Sequence, residues 1–162
     1  MASFEMKFNL ADRVVIPMWE RVDMHLGKDP AQVQDILSGL SVGERAIHAV
    51  HRCAGEVANG GFWQYFGNST GILAYEAVRG FQLVGALEYA ELLEKAIARF
   101  PDGTMPLNWK DRCQVMNDMI ANGTAQEIAK LDKEFYQLQS KNPLQSYTDK
   151  YIHANPKEFV LL

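Results

Sequence analysis

The chain contains two cysteines in 162 residues, Cys53 and Cys113, too few for a disulfide framework and in keeping with a reducing compartment. No apolar run exceeds four residues, whereas a membrane-spanning helix needs about 20. The stretch Met1–Leu10 carries Glu5 and Lys7 among its apolar residues and has no signal-peptide core. A cytoplasmic protein is expected. There is no Cys-x-x-Cys, no P-loop and no dinucleotide fingerprint, so zinc-ribbon and nucleotide chemistry have no support. Positive charge is also scarce: 16 Lys and Arg against 20 Asp and Glu give a net charge of −4. That balance argues against direct nucleic-acid binding, which needs a concentrated basic face.

What the chain does have is an apolar fraction of 48%, enough for one substantial core. No repeat or linker divides it, so residues 1–162 read as a single domain. Apolar residues recur at helical spacing nearly throughout, and strand-like alternation is missing. Val14, Met18, Val22 and Leu26 mark a first helix from near Asp12, with Pro17 in its early turns. Asp29-Pro30 opens a short helix, since Asp is a good cap and Pro suits the first helical position. Ser41 and Glu44 form a capping box for a third helix, which Asn59-Gly60-Gly61 ends. Ser69 or Thr70 would cap a fourth, and Gly85 divides it from a fifth along Tyr89, Leu92, Leu93, Ala96 and Phe100. Asn108 caps a helix carrying Cys113, Val115, Met116, Met119 and Ile120. Thr124 and Glu127 suggest a second capping box, and Pro143 starts a final helix before a tail to Leu162. The expectation is an all-α bundle of about seven or eight helices.

The most unusual stretch runs Asn59-Gly60-Gly61-Phe62-Trp63-Gln64-Tyr65-Phe66-Gly67-Asn68-Ser69-Thr70-Gly71. Paired glycines permit left-handed backbone or close approach, the aromatics can plug a core, and Asn59, Gln64 and Asn68 can tie down loop groups. The segment reads as a structural joint, part of which can serve recognition. Gly67-Asn68-Ser69-Thr70-Gly71 matches G-x-S-x-G, and Asp102 and His153 follow in hydrolase order. A nucleophile elbow needs a strand before the serine, and none is predicted, so Ser69 reads as a cap. Glu44, His48 and His51 fall along one helix side. An alternative function is therefore a metal- or small-molecule-dependent enzyme using His48, His51 and the glycine-aromatic segment. Further metal ligands are unassigned, and no metal or other cofactor is expected.

Charge is distributed unevenly. Residues 53–94 carry Glu56, Glu76, Glu88, Glu91 and Glu94 against Arg79 alone, while the flanking thirds are nearly balanced. The excess is either a solvated face, partly neutralised by a Glu91–Lys95 pair, or an anionic surface for a basic partner.

The segment from Glu56 through Asn59–Gly71, followed by Glu76-Ala77, Leu83–Ala86, Leu92-Leu93 and Phe100-Pro101-Asp102, resembles the DNA-mimic protein nineteen-like family over about residues 45–103. The resemblance implies an all-α, homodimeric, non-enzymatic cytoplasmic protein. Its carboxylates would stand in for DNA phosphates and occupy a basic partner such as a helix-turn-helix transcription factor. Glu56, Glu76, Glu88, Glu91 and Glu94 are the candidate contacts. Neutralising a toxin or other effector would use the same binding physics.

Overall fold

The computed structural model describes residues 9–159. Among these, nine α-helical segments and four short 3-10 turns follow one another without a strand, so the fold is all-α. Seven of the nine have nine residues or more: α3 (Pro30–Ser38), α4 (Val42–Gly67), α5 (Ala74–Leu83), α6 (Leu87–Ile97), α7 (Trp109–Ala121), α8 (Thr124–Lys141) and α9 (Leu144–Ala154). The other two, α1 (Leu10–Val15) and α2 (Met18–Arg21), are the halves of the predicted first helix. Pro17 separates them because it has no N–H to continue the ladder. Val14, Met18, Val22 and Leu26 are nonetheless all buried, since a 3-10 turn at Asp23–His25 keeps the stripe on one side. The first helix begins earlier than expected. Asn9 caps it, accepting from the Asp12 N–H at 2.8 Å and donating to the Asp12 carboxylate at 3.1 Å.

Several helix starts follow the chemistry of their caps. Asp29 accepts from the Ala31 N–H at 2.9 Å, with Pro30 at the first position of α3. Ser41 and Glu44 exchange bonds of 3.0 and 3.1 Å at the start of α4. Asn108 opens α7 by accepting from the Lys110 N–H at 2.9 Å. Two expected caps are corrected. Neither Ser69 nor Thr70 caps a helix: Ser69–Leu73 is a 3-10 turn, and the Thr70 hydroxyl turns to Glu56 instead. Thr124 and Glu127 form no capping box, because Thr124 bonds back to Asn122 while Glu127 reaches Arg99.

Helix α4 is the hub. Around it pack α1, α5, α8 and the Ser69–Leu73 turn, while α6 bridges α5 and α8 and α9 lies on α1. Helix α5 comes close enough that a Cβ at Gly80 would meet the Val50 side chain at 2.8 Å and the Ala46 carbonyl oxygen at 2.9 Å. The far half of α4 is aromatic. Phe62 meets Phe135 of α8 edge-on at 5.6 Å, and Phe66 meets Phe100 edge-on at 5.2 Å, both favoured geometries for ring pairs. Every helix contributes to one continuous buried cluster. No described helix is long and apolar enough to cross a membrane. At the far end, Phe159 packs on Tyr151, and the Ser41 hydroxyl donates to the Glu158 carbonyl at 2.6 Å. The expected tail beyond Phe159 lies outside the described residues.

Candidate functional site

The glycine pair does not end α4 but breaks it. Gly60 (φ −161°, ψ 24°) and Gly61 (φ 75°, ψ −179°) leave the helical region, and the helix resumes at Phe62. A break exposes backbone groups on both sides, and a buried unpaired N–H or C=O is costly. Two side chains of α8 meet that demand. Asp132 accepts from the Phe62 N–H at 2.9 Å, and the Tyr136 hydroxyl donates to the Val57 carbonyl at 2.8 Å. That carbonyl would go to Gly61 in an unbroken helix. Burial raises the Asp132 carboxyl above its ordinary value, and the Phe62 bond offsets this only in part.

Beyond the break, the amides of the motif converge on Glu56. Its carboxylate accepts from Gln64 Nε2 at 2.8 Å, Asn68 Nδ2 at 2.9 Å and Thr70 Oγ1 at 3.0 Å. The end of α4 is closed by α7. Arg112, fully buried, donates to the carbonyls of Phe66 (2.6 Å), Asn68 (3.0 Å), Pro106 (2.9 Å) and Leu107 (2.8 Å). Trp109 Nε1 takes the Gly67 carbonyl at 2.8 Å. The guanidinium thus sits where a helix terminus concentrates negative partial charge. Burial lowers its pKa from the ordinary arginine value. Nearby, burial pushes up both the Cys53 thiol and the Tyr65 hydroxyl, so neither is a reactive nucleophile at neutral pH.

Of the motif residues, Gly61, Phe62, Tyr65 and Phe66 are buried, Gln64 is half-buried, and Asn59, Gly60 and Asn68 are exposed. Asp132, Tyr136 and Arg112 complete the joint and were not anticipated. For Arg112 a signal existed: with Met116 and Met119 it falls on a 4-3 spacing, the buried face of α7. The expected stripe through Val115 and Ile120 is shifted, since Ile120 is 53% exposed.

The histidines do not form a ligand set. His48 Nε2 lies 2.8 Å from Asp23, while His51 Nε2 lies 3.2 Å from Asp12. Glu44 is occupied by Ser41 and Arg21. Among the described residues, no group of three His, Cys, Asp or Glu side chains is placed to hold a metal ion. Ser69 follows a helix, not a strand, so the elbow geometry is missing.

The five candidate carboxylates separate into two kinds. Glu76 is a correction: it is buried on the inner side of α5, 2.6 Å from Arg79 and 3.6 Å from Arg45. Glu56 is half-buried, and its oxygens accept from Gln64, Asn68 and Thr70 of the motif. Glu88, Glu91 and Glu94 are exposed along α6. None of these three takes part in an ion pair among the described residues, so the anticipated Glu91–Lys95 pair is not made. Between α6 and α8 runs a groove of about 260 Å³ with Glu88 and Glu91 on one side, Glu134 on the other, Leu92 and Leu138 beneath, and Lys95 and Lys141 among them.

Comparison with known proteins gives one match. The family model described as DMP19-like protein covers residues 38–155, well beyond the 45–103 that carried the resemblance. The chain belongs to that family. No curated protein and no solved structure matches it significantly.

Proposed function

With membership of the DMP19-like family as the premise, we propose that the chain acts by binding, not by catalysis. It presents Glu88, Glu91 and Glu94 to a basic DNA-binding protein in place of duplex DNA. The observation that carries this reading is the exposed row of three carboxylates on α6, none of them in an ion pair among the described residues. From Glu88 to Glu94 the helix rises about 9 Å at 1.5 Å per residue, one carboxylate about every 4.5 Å. A DNA strand offers one phosphate about every 3.4 Å along the duplex axis. Glu134 adds a carboxylate across the groove. The partner is a basic protein of the helix-turn-helix kind, acting in the cytoplasm. The protein works as a homodimer, which doubles the number of such rows.

The test is competition. Proteins captured on the immobilised chain at about 50 mM salt are challenged with duplex DNA, because charge-driven contacts are strongest at low ionic strength. Support is elution, by duplex, of a protein that itself binds DNA. Captured proteins without affinity for DNA, or indifferent to the duplex, would contradict the proposal.

A further inference from the structure

Asn-Gly occurs twice in the chain, at Asn59-Gly60 and Asn122-Gly123. In this dipeptide the glycine main-chain nitrogen has a clear approach to the asparagine side chain, because no Cβ stands in the way. What each pair packs against decides whether the approach is used, and the fold treats the two differently. Asn59 is exposed but keeps helical backbone, Gly60 being the first residue of α4 to leave it. The Gln64 side chain lies over Gly60, where an added Cβ would meet Gln64 Cβ at 2.9 Å, and Glu56 holds Gln64 in place at 2.8 Å. Asn122 and Gly123 instead form the whole connection between α7 and α8, and both are exposed. An added Cβ at Gly123 would meet nothing nearer than Gln126 Oε1 at 3.8 Å. The Gly123 N–H donates to the Ile120 carbonyl at 3.3 Å, a long and weak bond. The Asn122 carboxamide oxygen accepts from the Thr124 N–H at 3.1 Å and from its hydroxyl at 2.6 Å.

We infer that Asn122 is a site of spontaneous covalent modification, its carboxamide turning into a carboxylate by attack of the Gly123 nitrogen, while the fold shields Asn59 from the same reaction. The Gly123 nitrogen gives up its proton to solvent base and bonds to Asn122 Cγ. The oxyanion forms on the oxygen that Thr124 already faces with two donors, the arrangement that stabilises such a charge. The Cγ–Nδ2 bond then breaks, ammonia leaves, and a five-membered imide remains. Water opens it at Cγ to give aspartate, or at the main-chain carbonyl to give isoaspartate; either way one water is consumed and one ammonia released. Attack requires Asn122 ψ to turn from its value of 2°. Ile120 and Ala121 before it are exposed as well, so this end of α7 opens without uncovering core. The aspartate product keeps an acceptor for Thr124 and adds a negative charge ahead of α8, where the helix dipole favours it. The isoaspartate product lengthens the main chain between α7, which carries Arg112, and α8, which carries Asp132 and Tyr136.

Peptide mapping by mass spectrometry tests this on the full chain, incubated over days in mildly alkaline buffer, folded or in guanidinium chloride. The expected result is that the folded chain gains the mass change of amide to carboxyl at Asn122 at least about tenfold faster than at Asn59, with both aspartyl and isoaspartyl forms present. In guanidinium chloride the two rates should converge, since the shielding of Gly60 is then gone. Ion exchange of the folded chain should show an acidic species growing with time in the wild type and not in Asn122→Ser, which keeps an oxygen for Thr124 but has no carboxamide. Equal rates at the two sites in the folded chain, a faster rate at Asn59, or Asn122 left intact when folded while it reacts in guanidinium chloride would overturn the inference.

Discussion

Arg112 stands between α7 and the end of α4 and is in no ion pair among the described residues; four backbone carbonyls accept from its guanidinium. Replacing it by Met would leave those carbonyls short of donors in the interior. Arg112→Met is expected to lower stability by about 3–5 kcal/mol, the range for breaking a buried charged network. Arg112→Lys should recover little, since one ammonium cannot reproduce the planar fork. Urea unfolding midpoints would check both. At this scale the sequence misled about purpose more than about identity. Glu56 and Glu76 were correctly singled out as acids in a base-poor stretch, yet their partners are folded in from elsewhere. Gln64, Asn68 and Thr70 lie eight to fourteen residues beyond Glu56, and Arg45 lies on a different helix from Glu76. A count of charges along the chain cannot register such contacts, because they are made across space.

At the scale of elements, the break in α4 is the feature that shapes the motif. Gly61 combines a left-handed φ of 75° with close approach to the Asp132 carboxylate, two demands that a Cβ violates together. Gly61→Ala is expected to destabilise by about 2 kcal/mol or more from backbone strain and displacement of Asp132. Thermal unfolding would check this. A matching Gly55→Ala, where a Cβ meets nothing within 4 Å, should be neutral or slightly stabilising. Local chemistry made most helix starts legible, as at Asp29-Pro30, Ser41/Glu44 and Asn108, because a cap and its target lie within three residues. The failure at Asn59-Gly60-Gly61 has a cause outside local chemistry. A glycine pair signals departure from helical geometry but not whether the helix resumes, and here α8 decides that by supplying Asp132 and Tyr136.

For the whole molecule, stability depends on pH through Asp23, His51 and Asp132. Burial alone would raise the Asp23 carboxyl, but the bonds from His48 and Arg52 outweigh it and hold the group below its ordinary value of 3.8. Its contribution to stability is present above that value and lost as pH falls through the folded one. His51, lowered by burial from an ordinary 6.5, acts earlier: its contribution is complete above about 6.5 and declines below. Asp132 works in the opposite sense, since a raised carboxyl favours the folded state as pH falls towards its ordinary value. Unfolding followed by denaturant at a series of pH values should therefore show stability falling from about pH 6.5, then more steeply below about pH 4.

The claim that the exposed row on α6 is the binding surface has one direct measurement. A captured basic partner is titrated against wild-type chain, the triple variant Glu88→Lys/Glu91→Lys/Glu94→Lys, and Glu56→Gln, each at low and high salt. Affinity of the wild type should fall steeply with salt, the triple variant should bind at least about 100-fold more weakly at low salt, and Glu56→Gln should match the wild type once shown to be folded. Equal affinity for the triple variant and the wild type, with the same salt slope, would contradict the account.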